Sequence, residues 1–174
     1  MLTKVVTFGG GTGQPMVLQA IKFSPIAITA VVSMADSGGS SGVLRDEQGV
    51  LPPSDALRCL LALANANDPR AALLAKACRY RFEGQGSLVP GGVGHTVGNV
   101  MLTALMHQHG SSCGLVVMAQ LLAVPYDCRV LASTLANVTL VAELADRSIV
   151  YGETKIDRPA PGMSRAPIAR VWLE

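Results

Sequence analysis

Four glycines in five positions, Gly9, Gly10, Gly11 and Gly13 of "FGGGTG", separate a strand-like "KVVTF" from a helix-like "PMVLQAIKF". Glycine loses more backbone freedom on folding than any other residue, so such density calls for special angles or a close approach of backbone to something else. At the start of a helix, unpaired N–H groups and the dipole favour an anion, and the hydroxyl of Thr12 adds a donor. The dinucleotide fingerprint is absent, because Gln14 stands where its third glycine belongs, and no Gly-Lys-Ser/Thr makes a P-loop. The turn reads either as a phosphate cradle or as a tight turn that lets helix and strand pack closely.

"ADSGGSSG" is a second such stretch. Asp36 offers a carboxylate to a cation or a ligand hydroxyl. Gly38, Gly39, Ser40, Ser41 and Gly42 offer N–H and hydroxyl donors without bulk, and Arg45 suits a phosphate or carboxylate. A third cluster surrounds His95 and Asn99 with Gly91, Gly92, Gly94 and Gly98. There His95 is either a ligand contact or a hydrogen-bonded structural residue, and Asn99 either binds a ligand or ties down the loop. His107 and His109 suit the surface at a helix end. No Ser–His–Asp or Cys–His order is legible, and Asp36, Asp46, Glu47 and Asp55 have no spacing that marks an acid/base pair.

These residues need elements to hold them. Leu2 to Phe8 reads as a buried strand, and Pro15 fits the first turn of a helix whose inner face carries Met16, Val17, Ala20 and Ile21. Ile26 to Met34 reads as a second, parallel strand, completing a βαβ unit. The polar segment that follows, as far as Asp55, reads as a long functional loop at the carboxyl end of a strand. Ser54 or Asp55 can cap a helix through "ALRCLLALANAN", which Asn67-Asp68-Pro69 stops. "PRAALLAKACRYRF" and "HTVGNVMLTALMHQHG" are further helices, with the glycine-rich "EGQGSLVPGGVG" between them. From Ala123 the texture is β-rich, with "CRVLAST", "VTLVAELA", "SIVYGE" and "PIARVWLE" as short strands, a turn at Asp146-Arg147 and an irregular "DRPAPGMSRAP". The expected fold is therefore α/β: a core with a mainly parallel sheet over residues 1–122, and a small antiparallel β appendage over 123–174.

Composition narrows the partners. Of 174 residues, 49% are apolar and 15% charged, which describes a globular chain, and 14 basic against 12 acidic residues leave +2. That balance, with no basic run interleaved with aromatics, argues against nucleic acid. Cys59, Cys78, Cys113 and Cys128 make no C-x-x-C pair, so zinc spacing is absent, and Cys59 and Cys78 suit buried thiols. With no span-length apolar run and no leader pattern, the chain reads as cytoplasmic, away from membranes.

Taken in order, "FGGGTG", "VVSMADSGGSSGVLR", "GVLPPSD", "YRF", "GHTVGN" and "LVAELADRSIVYGETKI" resemble the motifs of the gluconeogenesis-factor family. That family is related to the 2-phospho-L-lactate transferase of deazaflavin coenzyme synthesis. The resemblance implies a Rossmann-like three-layer sandwich for the α/β core, in a cytoplasmic protein that binds a nucleotide sugar such as a UDP-sugar, supports growth on gluconeogenic carbon and influences cell shape and wall synthesis. The matching positions are Gly9 to Gly13, Asp36, Gly38 to Gly42, Arg45, Asp55, His95, Gly98 and Asn99. Within that expectation the glycine turn, Ser40 and Ser41 hold a diphosphate, Asp36 and Asn99 orient polar groups, and magnesium, if it binds, meets Asp36. Ser37 stands where the family has a second aspartate, "PPSD" replaces "PPGD", and Leu57-Arg58 replaces Arg-Asn. Members of the family also run well beyond this length, so the chain reads as truncated, with an exposed sheet edge that favours homo-oligomers. The alternatives are a phospholactyl transferase, recognisable by turnover and metal dependence, and an α/β interaction domain that does not bind the ligand.

Overall fold

Two β-rich runs, Thr3–Gly9 (β1) and Ile26–Val32 (β2), lie side by side in parallel, in register from Thr3 opposite Ile26 to Gly9 opposite Val32. The computed structural model describes residues 2–82, 94–158 and 165–174. Parallel neighbours need a crossover, and helix α1 (Gly13–Ile21) supplies it. Its inner face is carried by Gln14 and Leu18, with Ile21 partly buried, while Met16 and Val17 are 69% and 50% exposed. The expected inner face is thus rotated: Gln14, Leu18 and Ile21 follow the i, i+4, i+7 stripe. Gln14 replaces the fingerprint glycine with a knot, its amide nitrogen donating to the Thr7 carbonyl at 3.2 Å, the Thr7 hydroxyl at 3.0 Å and the Val31 carbonyl at 3.2 Å.

Among the described residues between β2 and the third strand run α2 (Gly39–Gln48), α3 (Pro53–Leu63), α4 (Pro69–Cys78), α5 (Val97–His109) and α6 (Ser111–Leu121). Helix α2 corrects the long-loop expectation. Its opening residues are weak helix formers, but Ser40, Ser41, Gly42 and Leu44 are buried, and the left-handed Gly49 closes it. Tertiary packing, not propensity, makes this helix. Asp68 caps α4 by accepting the Arg70 and Ala71 N–H groups at 2.8 and 2.9 Å, and Thr96 caps α5 through the Asn99 N–H at 3.1 Å. Helix α3 is central, touching α1, α2, α5, α6, β2 and β3, with Ala56, Cys59 and Leu60 wholly buried.

Strand β3 (Cys128–Ala132) pairs in parallel with β2, giving the order β1-β2-β3. "CRVLAST" therefore belongs to the parallel sheet and not to the antiparallel strands with which it was expected. The separate antiparallel sheet contains β4 (Leu140–Leu144), β5 (Ile149–Tyr151) and β6 (Ile168–Leu173) in the order β5-β4-β6, as the alternation and the Asp146-Arg147 turn suggested. A short helix, α7 (Glu153–Asp157), follows β5. Most of "EGQGSLVPGGVG", with Gly91 and Gly92, and part of "DRPAPGMSRAP" lie outside the described residues. No helix among the described residues is long and apolar enough to cross a membrane.

Candidate functional site

A cleft of about 770 Å³ opens at the carboxyl ends of β1 and β2, the place where open α/β sheets hold ligands. The glycine turn forms its first wall through Gly10, Gly11 and Thr12. Gly11 has φ +59, which glycine adopts without penalty. Gly10 meets a different demand: a Cβ there would lie 2.6 Å from the Asp55 carboxylate. That carboxylate lies inside the first turn of α3 and does not cap it from outside. It accepts the Gly11 N–H at 2.6 Å and pairs with Arg58 at 2.8 Å. One donor expected to face a phosphate already serves an internal anion. Gly9 and Gly13 support the turn without lining the cleft.

The second wall is the loop before α2 and its first turn: Asp36, Gly38, Gly39 and Ser40. Asp36 shapes this loop, its Oδ1 accepting the Gly38 N–H at 2.8 Å, and Gly39 has φ +46. Ser41 faces inward, its hydroxyl accepting the Ser54 N–H at 3.2 Å. Arg45 lies outside the cleft and pairs with Asp46 at 2.9 Å.

Behind this wall runs a buried polar chain that sequence order did not reveal. Ser40 Oγ lies 2.7 Å from His95 Nδ1, and Asn99 Nδ2 donates to Ser40 Oγ at 3.0 Å and to Ser54 Oγ at 2.9 Å. His95 is 1% exposed and Asn99 3%. Burial, the main cause, holds the imidazole below its ordinary 6.5, against a smaller opposing pull from Glu47. His95 Nε2 has no hydrogen-bond partner among the described residues. Thus His95 and Asn99 reach the cleft, His95 through Ser40 and Asn99 also along a neighbouring cavity of about 300 Å³. The two cavities share Thr12, Ser54, Arg58 and Arg81.

The third wall comes from the antiparallel unit. The Ser37 hydroxyl accepts the Thr154 N–H at 3.1 Å, tying the start of α7 to the α2 loop. This brings Glu153, Thr154, Asp157 and Arg158 to the cleft. Burial raises the Glu153 pKa, and Asp36 and Asp157 raise it further. The sequence reading missed the roles of Ser54, Arg58, Arg81 and the α7 residues; only the departure at Leu57-Arg58 hinted at one of them. No three His, Cys, Asp or Glu side chains among the described residues converge to hold a metal. With one Asp36 oxygen on Gly38 and both Asp55 oxygens engaged, these residues do not fit a metal held by the protein alone. Cys59 is pushed up to about 12 by burial, so its thiol is inert at neutral pH.

Comparison with known proteins places this geometry in context. A family model described as 2-phospho-L-lactate transferase CofD matches residues 5–174. A gluconeogenesis factor of Listeria innocua is 42% identical over 172 residues, covering 98% of this chain and 49% of that protein. A gluconeogenesis factor of Halalkalibacterium halodurans is 36% identical over 162 residues, 92% of this chain and 47% of that one. A crystal structure of a Bacillus halodurans member of the UPF0052 family superposes with TM-score 0.84 at 36% identity, covering 99% of this chain and 51% of that one. The chain spans about half the length of the curated relatives it matches.

Proposed function

The chain belongs to the CofD family, and on that premise we propose that its cleft binds a phosphate-bearing nucleotide of the nucleotide-sugar class. In this reading the protein is a gluconeogenesis factor that regulates growth on gluconeogenic carbon and acts on cell shape and wall synthesis. The observation that carries it is the cleft itself. Two helix starts, those of α1 and α2, open onto it beside Arg58, Arg81 and Arg158. Helix N-termini and guanidinium groups together suit a diphosphate, and the adjoining cavity, with Leu57, Leu61 and Pro15 beside polar Gln19 and Thr96, offers a mixed surface for the rest of such a ligand. Magnesium, where it takes part, would be shared between the phosphates and Asp36, since this cation commonly keeps one or two carboxylates and the ligand's oxygens.

Isothermal titration with UDP-N-acetylglucosamine, with and without magnesium, tests the reading. Saturable binding is expected, with Arg58→Ala weakening it about tenfold or more, since a charge-assisted hydrogen bond contributes roughly 1.5–3 kcal/mol. The same change releases Asp55, whose freed charge opposes the phosphate. No heat at millimolar ligand from a folded chain would reject the reading. The transferase alternative requires turnover of a nucleotide-activated donor, which product analysis in the same samples would detect.

A further inference from the structure

Ligand binding alone does not require a serine hydroxyl held against a buried imidazole. We propose that Ser40 is a nucleophile with His95 as its general base, so that the cleft carries out a covalent step on a phosphoester or phosphoanhydride. The proposal takes its ligand class from the reading above, but its test does not.

The proton inventory favours activation. Asn99 Nδ2 has two hydrogens, and both are used, on Ser40 Oγ and Ser54 Oγ. Ser40 Oγ therefore already accepts one bond. In the tautomer that carries its hydrogen on Nε2, the neutral imidazole of His95 accepts the Ser40 proton at Nδ1, 2.7 Å away, and the second lone pair of the serine oxygen is left for the ligand. Ser40 lines that cleft from the first turn of α2, a ten-residue helix, where unpaired N–H groups and the dipole stabilise developing negative charge. Both partners of the base–nucleophile contact are thus in place, and Asn99 orients the pair.

Local sequence agrees. Gly38-Gly39-Ser40-Ser41-Gly42 has the G-x-S-x-G spacing, set after a strand and opening a helix. The backbone solves the sharp turn in its own way, because the positive φ falls on Gly39 and not on the serine. Gly42 is needed for close approach: a Cβ there would collide with the Ser37 carbonyl.

In the step, Ser40 Oγ attacks phosphorus and its proton passes to His95 Nδ1. The Oγ–P bond forms as the bond from phosphorus to the leaving oxygen breaks, and that oxygen departs with the electron pair. Arg58 and Arg158, which line the cleft, meet the charge of the departing group. Water then attacks phosphorus, keeping one hydrogen on the new P–OH and giving the other to the departed oxygen through solvent; the Oγ–P bond breaks, and the proton on His95 returns to the serine oxygen.

Methanesulfonyl fluoride is a small probe of such a serine: Oγ–S forms, S–F breaks, fluoride leaves and the proton goes to His95. Intact-mass analysis and peptide mapping of the chain are expected to show one adduct, on Ser40, and none in Ser40→Ala. Labelling of His95→Gln should be at least tenfold slower. The wild-type rate should climb with pH as His95 loses its proton, with Glu47 and Arg81 as the charges acting on that ring in opposite senses. If His95→Gln does not fold, this wild-type profile decides. Absence of an adduct on a chain shown to be folded by circular dichroism would overturn the proposal. So would an adduct elsewhere, a pH-independent rate or an unchanged rate in His95→Gln. Nucleotide binding without labelling would leave the binding reading standing and reject this one.

Discussion

Asp55 places a carboxylate on the glycine turn before any ligand arrives. Its contacts with Gly11 and Arg58 both stabilise the turn and occupy a phosphate donor. Asp55→Asn should therefore tighten UDP-N-acetylglucosamine binding several-fold while lowering stability by about 1–2 kcal/mol, the cost of weakening buried charge-assisted bonds. Titration calorimetry beside a urea melt checks both arms. At His95 the sign follows from burial, which favours the neutral ring in the folded state and lowers its pKa below 6.5. Stability is then fully present above pH 6.5 and is lost as pH falls from there toward the lowered folded-state value. The loss is at most about 1.4 kcal/mol per pH unit for one group. Urea melts at pH 7.5 and 5.5 should differ more for the wild type than for His95→Gln. Neither residue could be assigned from sequence. The partners of Asp55 lie 44 positions away at Gly11 and three away at Arg58, and the side-chain partner of His95, Ser40, lies 55 positions away in the first turn of α2.

At the scale of elements, the site depends on how closely α3, α4 and α5 approach one another. Gly98 makes this possible. A Cβ there would lie 2.5 Å from Leu57 Cδ2 and 2.9 Å from Cys78 Cβ. Overpacking of this kind costs roughly 1–3 kcal/mol. Gly98→Ala should lower the melting temperature and, by shifting the start of α5, weaken ligand binding through Asn99 without touching the cleft. Thermal melts and titration of the same variant test this, and an unchanged affinity in a destabilised chain would separate packing from positioning. The strands and the helices α1, α4 and α5 were legible because apolar period, prolines in a first turn and caps are local signals. Helices α2 and α6 were not. "SGGSSG" has the composition of a loop, and its helical state comes from burial of Ser40, Ser41 and Leu44. In α6, apolar residues without strong periodicity precede the β-rich region and give no distinct signal.

For the whole molecule, the parallel sheet is unevenly covered. Val5 and Thr7 of β1 are half-buried on the face they share with Ile28 and Ala30, which pack into the core. On the other face, Phe8, Val31 and Leu131 form one row across three strands, with Phe8 78% and Leu131 46% exposed. Val6, on the same face, is 52% exposed. Such a surface, on a sheet whose β1 edge has no neighbour among the described residues, favours association. The expected outcome is a second copy of the chain covering it. Light scattering should then show mass increasing with concentration, and Phe8→Glu should restore the monomer. A monodisperse wild-type monomer would remove the idea.

The sequence by itself determined the βαβ start, the glycine turn, the antiparallel unit and the family, because each rests on residues adjacent in the chain or on an ordered series of motifs. Only the tertiary structure decided that β3 joins the parallel sheet, that Asp55 answers Gly11, and that Ser40 meets His95 across 55 positions. These contacts depend on which buried faces pack together, and packing is a property of the assembled core that no local pattern encodes. The same is true of Ser37. In sequence it is a missing carboxylate; in the fold it is the acceptor that ties α7 to the cleft.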